Sequence, residues 1–235
     1  MTKIYDVGII GAGVSGCFSS LRLLQKTDAS IVVFDIGRPF AKRRRQLEGA
    51  LGCFPSGDGK LYLDNFEQFD NKNLHNIKKY IFKILEEAGP INESKNYNVS
   101  ASLKKKLVEK NFNIHYHNYI QWKPESIHKL SKNLVLEYDQ YEGRIDFSFD
   151  NEVYSVLKKN NEFVVDSERG EFTCKKLILN PGRSGWRWAT KFYDDFGILE
   201  ENNDSWVGVK FEVPNHCMKD FNKSHMSMSK QDTLI

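Results

Sequence analysis

The sequence predicts an α/β fold: a parallel sheet that carries an antiparallel β-meander, with a smaller strand-rich region inserted. Three observations predict it. The segment YDVGIIGAGVSG at 5–16, followed by IVVFD at 31–35, reads as strand, glycine turn, helix and strand. From Ile114 to Val165 the pattern changes to short alternating stretches separated by turn residues. The run KLIL at 176–179 then restores a buried strand without alternation.

The first element is justified residue by residue. Val7, Ile9 and Ile10 form the apolar run expected of a parallel strand covered on both faces. Gly11, Ala12, Gly13, Val14, Ser15 and Gly16 follow with the spacing G-x-G-x-x-G. In that spacing the first glycine permits a tight turn, the second lets a pyrophosphate approach the backbone, and the third lets the helix pack on the sheet. Val14, Phe18, Leu21 and Leu24 recur at helical spacing, and Ser20 is small enough to keep the helix close. Free N–H groups and the positive dipole end at the helix start suit a phosphate. Asp35 ends the second strand, where a carboxylate can accept hydrogen bonds from the hydroxyls of an adenosine ribose. On these residues alone the ligand could be NAD or FAD.

After Asp35 come the basic stretch KRRR at 42–45 and a glycine-rich loop at 48–60. The spacing predicts a helix over 71–88, with Leu74, Ile77, Ile81, Ile84 and Leu85 on one face and Gly89-Pro90 as its stop. A second helix is expected over 100–110, where Leu103 and Leu107 share a face. Short strands are expected at 115–117, 134–138, 145–149, 153–157 and 162–165, with turns at 159–161 and 168–170. The return strand ends at Asn180-Pro181-Gly182. Ligands of open α/β sheets sit beyond the carboxyl ends of the strands, so this turn can reach whatever Gly11 to Gly16 hold. One more strand is expected at 207–213, and the polar tail after His225 is expected to fray. The domain division that follows joins 1–92 to 166–200 as the nucleotide-binding part. It leaves 93–165 and 201–235 as the inserted, substrate-side region.

A chain of 235 residues fits one or two domains. A formal charge of +3 gives no strong signal for nucleic acid. Cys17, Cys53, Cys174 and Cys217 form no Cys-x-x-Cys pair, which favours a reducing compartment. No apolar run approaches the ~20 residues of a membrane span, and the glycine segment starts too near Met1 for a cleavable leader. A cytoplasmic protein without a membrane partner is expected. His115 and His117 share a strand face but lack partners at ligand spacing, so no metal is expected. Cys53 could be a redox thiol or an incidental one, and Trp186 and Trp188 could line a pocket or pack. No catalytic residue can be assigned.

With those residues in hand, the chain resembles the FAD-dependent oxidoreductases of the glutathione-reductase-like superfamily, and more narrowly a family described as FAD-dependent dehydrogenases. GAGVSG at 11–16, FPSGDGKLYL at 54–63, LILNPGRSGW at 177–186 and VGVKFEVP at 207–214 carry the resemblance. It implies a Rossmann-like FAD-binding domain in which Gly11, Gly13 and Gly16 hold the FAD pyrophosphate and Asp35 the ribose. It also implies that Arg43 to Arg45 and the loop at 56–60 lie along the phosphates or towards the flavin. Lys60 or one of those arginines would place positive charge near the ring. Asn180 to Gly182 stand where relatives carry a Thr-Gly turn near the cofactor.

The implied activity is removal of a hydride from a small organic substrate. The alternatives are a flavin-dependent lyase without net redox change, an NAD-only dehydrogenase, and a noncatalytic nucleotide-binding or partner-binding subunit. Superfamily members also carry a late Gly-Asp segment that closes over the flavin, and none precedes Ile235. The expectation is a truncated relative, a half completed by a second polypeptide, or a compact version.

Overall fold

The structure, a computed structural model, describes residues 3–43, 48–57, 59–62, 76, 79, 92–93, 100–116, 119–121, 124–201, 214–218 and 226–230. The strand expected at 207–213, Arg44, Arg45 and His117 lie outside the described residues, as does the helix expected over 71–88 apart from residues 76 and 79. Contacts divide the chain into two units, Met1–Gly57 with Pro124–Asn202 and Asp58–Lys123 with Asn203–Ile235.

The first unit is built on a six-stranded sheet. Its strands are β1 (Ile4–Ile10), β2 (Ile31–Phe34), β3 (Ile145–Ser148), β4 (Val153–Lys159), β5 (Glu162–Ser167) and β6 (Gly170–Leu179). Their order across the sheet is β3-β2-β1-β6-β5-β4. The four from β3 to β6 run parallel, with Ile9 opposite both Val33 and Ile178, and β5 and β4 complete the sheet antiparallel. The expected meander is therefore the far half of the same sheet. Asn160 and Asn161, both left-handed at φ 50 and 66, make the tight turn between β4 and β5.

Both faces of the parallel half are covered, which is why β2 is buried at every position. Val7, Ile9, Ile31 and Val33 pack with Leu24 of helix α1 (Val14–Lys26) on one face. Ile10, Val32 and Phe34 pack on the other with Val165, Cys174 and Phe192. Helix α1 buries Gly16, Cys17, Ser20, Leu21 and Leu24, with the Ser20 hydroxyl 2.9 Å from that of Tyr138, while Val14 is exposed at the first turn.

Three local expectations are corrected. Residues 134–138 are not a strand: helix α2 (Pro124–Leu136) runs into a tighter turn at Glu137–Tyr141. Ile127, Leu130, Ser131 and Leu134 are buried at helical spacing, a longer pattern that overrides the brief alternation at 134–138. Helix α3 (Trp186–Phe196) stands where no element was expected. Its Trp188, Phe192 and Phe196 stack at four-residue intervals and its end is fixed by left-handed Gly197. The tail does not fray throughout, because Met226–Lys230 pairs antiparallel with Phe112–Tyr116.

The units also divide the chain at other places than 92/93 and 165/166. Residues 124–165 join the first unit because β3 pairs with β2 and the β4–β5 hairpin extends the same sheet. The second unit runs over 58–123 and 203–235, so residues 58–92 belong to it. It holds a three-stranded antiparallel sheet, Lys60–Tyr62 and Asn92–Glu93 flanking Tyr119–Gln121. It also contains the pair just described and the helix Ala101–Glu109, capped by the Ser100 hydroxyl.

A candidate dinucleotide site at the carboxyl ends of the parallel strands

Main-chain bonds knit the strand ends together. The Gly11 N–H donates to the Phe34 carbonyl at 2.8 Å, the Asn180 N–H to the Ile10 carbonyl at 2.7 Å, and the Asp35 N–H to the Ser148 carbonyl at 3.0 Å. Fully buried Asn151 braces the same edge: its N–H donates to the Asp35 carbonyl and its side-chain amide to the Ser148 hydroxyl.

The three glycines of the turn differ in what surrounds them. Gly11 has φ +100, and a Cβ there would lie 2.0 Å from the Asn180 carbonyl oxygen. A Cβ on Gly16 would lie 1.8 Å from the Gly11 carbonyl oxygen. A Cβ on Gly13 would meet nothing within 4 Å among the described residues. The turn is thus closed on its strand side and its helix side and open at its middle glycine. Gly13 is also the cap of α1, with no side-chain bond to the helix start. Ala12 is fully buried beneath it, and its carbonyl receives the Leu51 N–H at 2.8 Å and the Cys17 thiol at 3.1 Å. Val14 and Ser15 are exposed.

Asp35 stands at the end of β2 as expected, but its carboxylate is already engaged. Oδ2 accepts the Ala12 N–H at 2.7 Å, while Oδ1 accepts the N–H groups of Gly37 at 2.7 Å and Gly49 at 2.8 Å. Arg43 folds inward and its guanidinium donates to the Ala50 carbonyl. Burial pulls it below the ordinary arginine range, against the attraction of Asp35. Gly182, exposed and left-handed at φ +64, follows by two residues the Asn180 contact with Gly11. The Asn180 side-chain nitrogen Nδ2 is buried, with no hydrogen-bond partner among the described residues.

The remaining sequence candidates have surroundings of their own. Trp188 packs on Phe192, and Trp186 is exposed beneath the Arg187 guanidinium. Cys53 is exposed, whereas burial pushes the Cys17 and Cys174 thiols up to about 11. Lys60 and His115 belong to strands of the second unit. No group of His, Cys, Asp or Glu among the described residues could hold a metal ion. No described helix is long and apolar enough to cross a membrane.

Sequence reading missed the loop at 49–52 as a wall of the site. The signal was present in Gly37 and Gly49, which allow two segments to approach where side chains would collide. A Cβ on Gly37 would lie 2.3 Å from the Gly49 nitrogen.

No protein-family model matches the sequence, and no curated protein matches it. Solved structures do. Glycine oxidase from Geobacillus kaustophilus is 15% identical, with 83% of this chain and 59% of that chain covered and a TM-score of 0.50. L-amino acid deaminase from Proteus myxofaciens, in complex with anthranilate, is 13% identical, with 84% and 49% covered and a TM-score of 0.51. This chain therefore spans only part of the length of either. Over the matched part the likeness shows the fold, a mixed α/β sheet built as theirs are.

Proposed function

We propose that the first unit binds FAD and that the chain is an FAD-dependent oxidoreductase removing a hydride from a small organic substrate. The observation that carries this reading is the open space at Gly13, set in a turn that Gly11 and Gly16 pack tightly on either side. A pyrophosphate needs that arrangement, a bare backbone with room above it at a helix start. Gly11 to Gly16 would hold the diphosphate, Asp35 would meet the adenosine ribose, and Arg43, Asn180 and Gly182 line the approach. The fold shared with an oxidase and a deaminase supports redox chemistry. FAD, when bound, supplies the hydride acceptor. The chain's own residues supply binding, orientation and exclusion of water.

The test is the visible spectrum of the purified protein, followed by titration with FAD and with NAD. Oxidised-flavin bands, or uptake of FAD in preference to NAD, support the reading. Colourless protein that takes up neither overturns it. It then favours a noncatalytic subunit, for which co-purification of a second polypeptide is the next measurement. Product formed without any external electron acceptor would indicate a lyase.

A further inference from the structure

Asp35 has a second task that its surroundings reveal. Its three N–H donors belong to three separate segments: Ala12 in the turn after β1, Gly37 just after β2, and Gly49 in the following loop. That loop then closes back on the glycine turn. The Ala50 N–H donates to the Arg38 carbonyl at 3.2 Å and the Leu51 N–H to the Ala12 carbonyl at 2.8 Å. Leu51 is fully buried and holds φ +65, a left-handed conformation that a leucine keeps only when its surroundings enforce it. Gly49, at φ +99, would place a Cβ 2.4 Å from the Arg38 carbonyl oxygen.

A carboxylate offers about four acceptor sites. Among the described residues, two on Oδ1 and one on Oδ2 are taken by main-chain donors, which leaves one, on Oδ2, for a ligand. We infer that Asp35 is a positioning residue whose carboxylate latches the 49–52 loop to the glycine turn, setting the crevice before a dinucleotide enters and leaving contact with a single ribose hydroxyl. The ligand part rests on the FAD reading; the latch does not. Walls fixed in advance raise affinity by removing the ordering cost of binding.

Hydrogen exchange on the ligand-free protein tests the latch. In Asp35→Ala the amides of Ala12, Gly37 and Gly49 should exchange roughly ten- to a hundredfold faster, the range set by a hydrogen bond to a charged group. Ile9 and Val33 should be unchanged. Asp35→Asn keeps one acceptor oxygen and offers an NH2 in place of the other, so protection should fall at only part of the trio. Unchanged exchange at all three amides in both variants overturns the proposal. If Asp35→Ala fails to fold, Asp35→Asn decides: selective loss within the trio supports the latch, and uniform loss with Ile9 and Val33 overturns it.

Titration with FAD and with FAD lacking its adenosine 2′- or 3′-hydroxyl tests the consequence for binding. Wild-type affinity should respond to the loss of one hydroxyl and not the other, and Asp35→Ala should weaken FAD and both analogues. If Asp35→Ala weakens FAD but not the analogue lacking the sensitive hydroxyl, the residue acts by direct contact alone and the positioning role fails. Faster exchange at the three amides in a protein that binds no flavin would retain the latch and reject the FAD reading.

Discussion

Asp6 and Asp35 sit at opposite ends of the parallel strands, and each carboxylate accepts three hydrogen bonds. Asp6 takes the Lys175 ammonium at 2.8 Å, the Ser30 N–H at 2.9 Å and the Ser30 hydroxyl at 2.8 Å. Beside it Asp146 takes the Lys3 ammonium and the Tyr5 hydroxyl, both at 2.7 Å. That end is tied by side chains, and its ion pairs are half-exposed. At the other end Asp35 receives, among the described residues, only main-chain donors, at a turn built of glycines. The lesson is that the sheet uses charge pairs where it meets solvent and bare backbone where the glycine turn lies open. An exposed ion pair stabilises a protein little, whereas backbone donors spaced by glycines define a shape.

The largest effect should come from filling the closed part of the turn. Gly11→Ala and Gly16→Ala each drive a Cβ to within 2.0 Å or less of a carbonyl oxygen. Each should cost more than about 3 kcal/mol in denaturant unfolding. A loss under about 0.5 kcal/mol, the level of an ordinary surface substitution, would show that the turn is not built as described.

Gly13→Val should break the comparison the other way. Its backbone, φ −63 and ψ −170, suits a branched residue and no described residue stands within 4 Å. Stability without ligand should change by less than about 1 kcal/mol. FAD affinity should drop roughly ten- to a hundredfold through overpacking against the diphosphate. Unaltered affinity would move the ligand elsewhere.

The charged end should answer to pH instead. The Lys175 ammonium and the Ser30 donors hold the Asp6 carboxyl well below the usual range. Its stabilising contribution is therefore present above the unfolded value of about 4 and is lost as pH falls through the folded one. Thermal melts from pH 6 down to 2 should show a shallower decline for Asp6→Asn than for wild type. Burial, and then Asp146, push Tyr5 up to about 12. Its contribution is present below about pH 10 and is lost as pH rises through 12, so Tyr5→Phe should flatten the alkaline decline. Parallel curves for variant and wild type would remove either residue from the account.

The smallest effect concerns reactivity. Cys53 and Cys217 are exposed and should react with a thiol reagent in the native state, while buried Cys17 and Cys174 should wait for unfolding.

What the sequence disclosed was local. Gly11, Gly13, Gly16 and Asp35 were legible because a turn between strand and helix is written in adjacent residues. The return strand to Leu179 was legible from its unbroken apolar run. The end of α2 reads as a strand at 134–138 because LVLEY alternates over a window too short to expose the buried spacing of Ile127, Leu130 and Leu134. Helix α3 carries a readable signal, Trp188, Phe192 and Phe196 followed by Gly197, whereas the sequence reading weighs only Trp186 and Trp188, as aromatics that line a pocket or pack. The pairing of Met226–Lys230 with Phe112–Tyr116 had no local mark, since a partner strand is chosen at long range. The second set of donors to Asp35 was equally hidden, because Gly37 and Gly49 contribute only backbone N–H groups.

The pairing of Ile4 with Thr173 and of Ile10 with Leu179 also bears on how this chain matures during synthesis. The first strand leaves the ribosome long before its neighbour on that side exists, and it must wait with that flank unpaired. The hairpin of Val153–Lys159 and Glu162–Ser167, joined by its two asparagines, can form on its own and deliver the late strand to the waiting edge. Ligand capture would then be among the last properties the nascent polypeptide acquires, and chains interrupted ahead of Gly170 would present a bare, adhesive sheet margin.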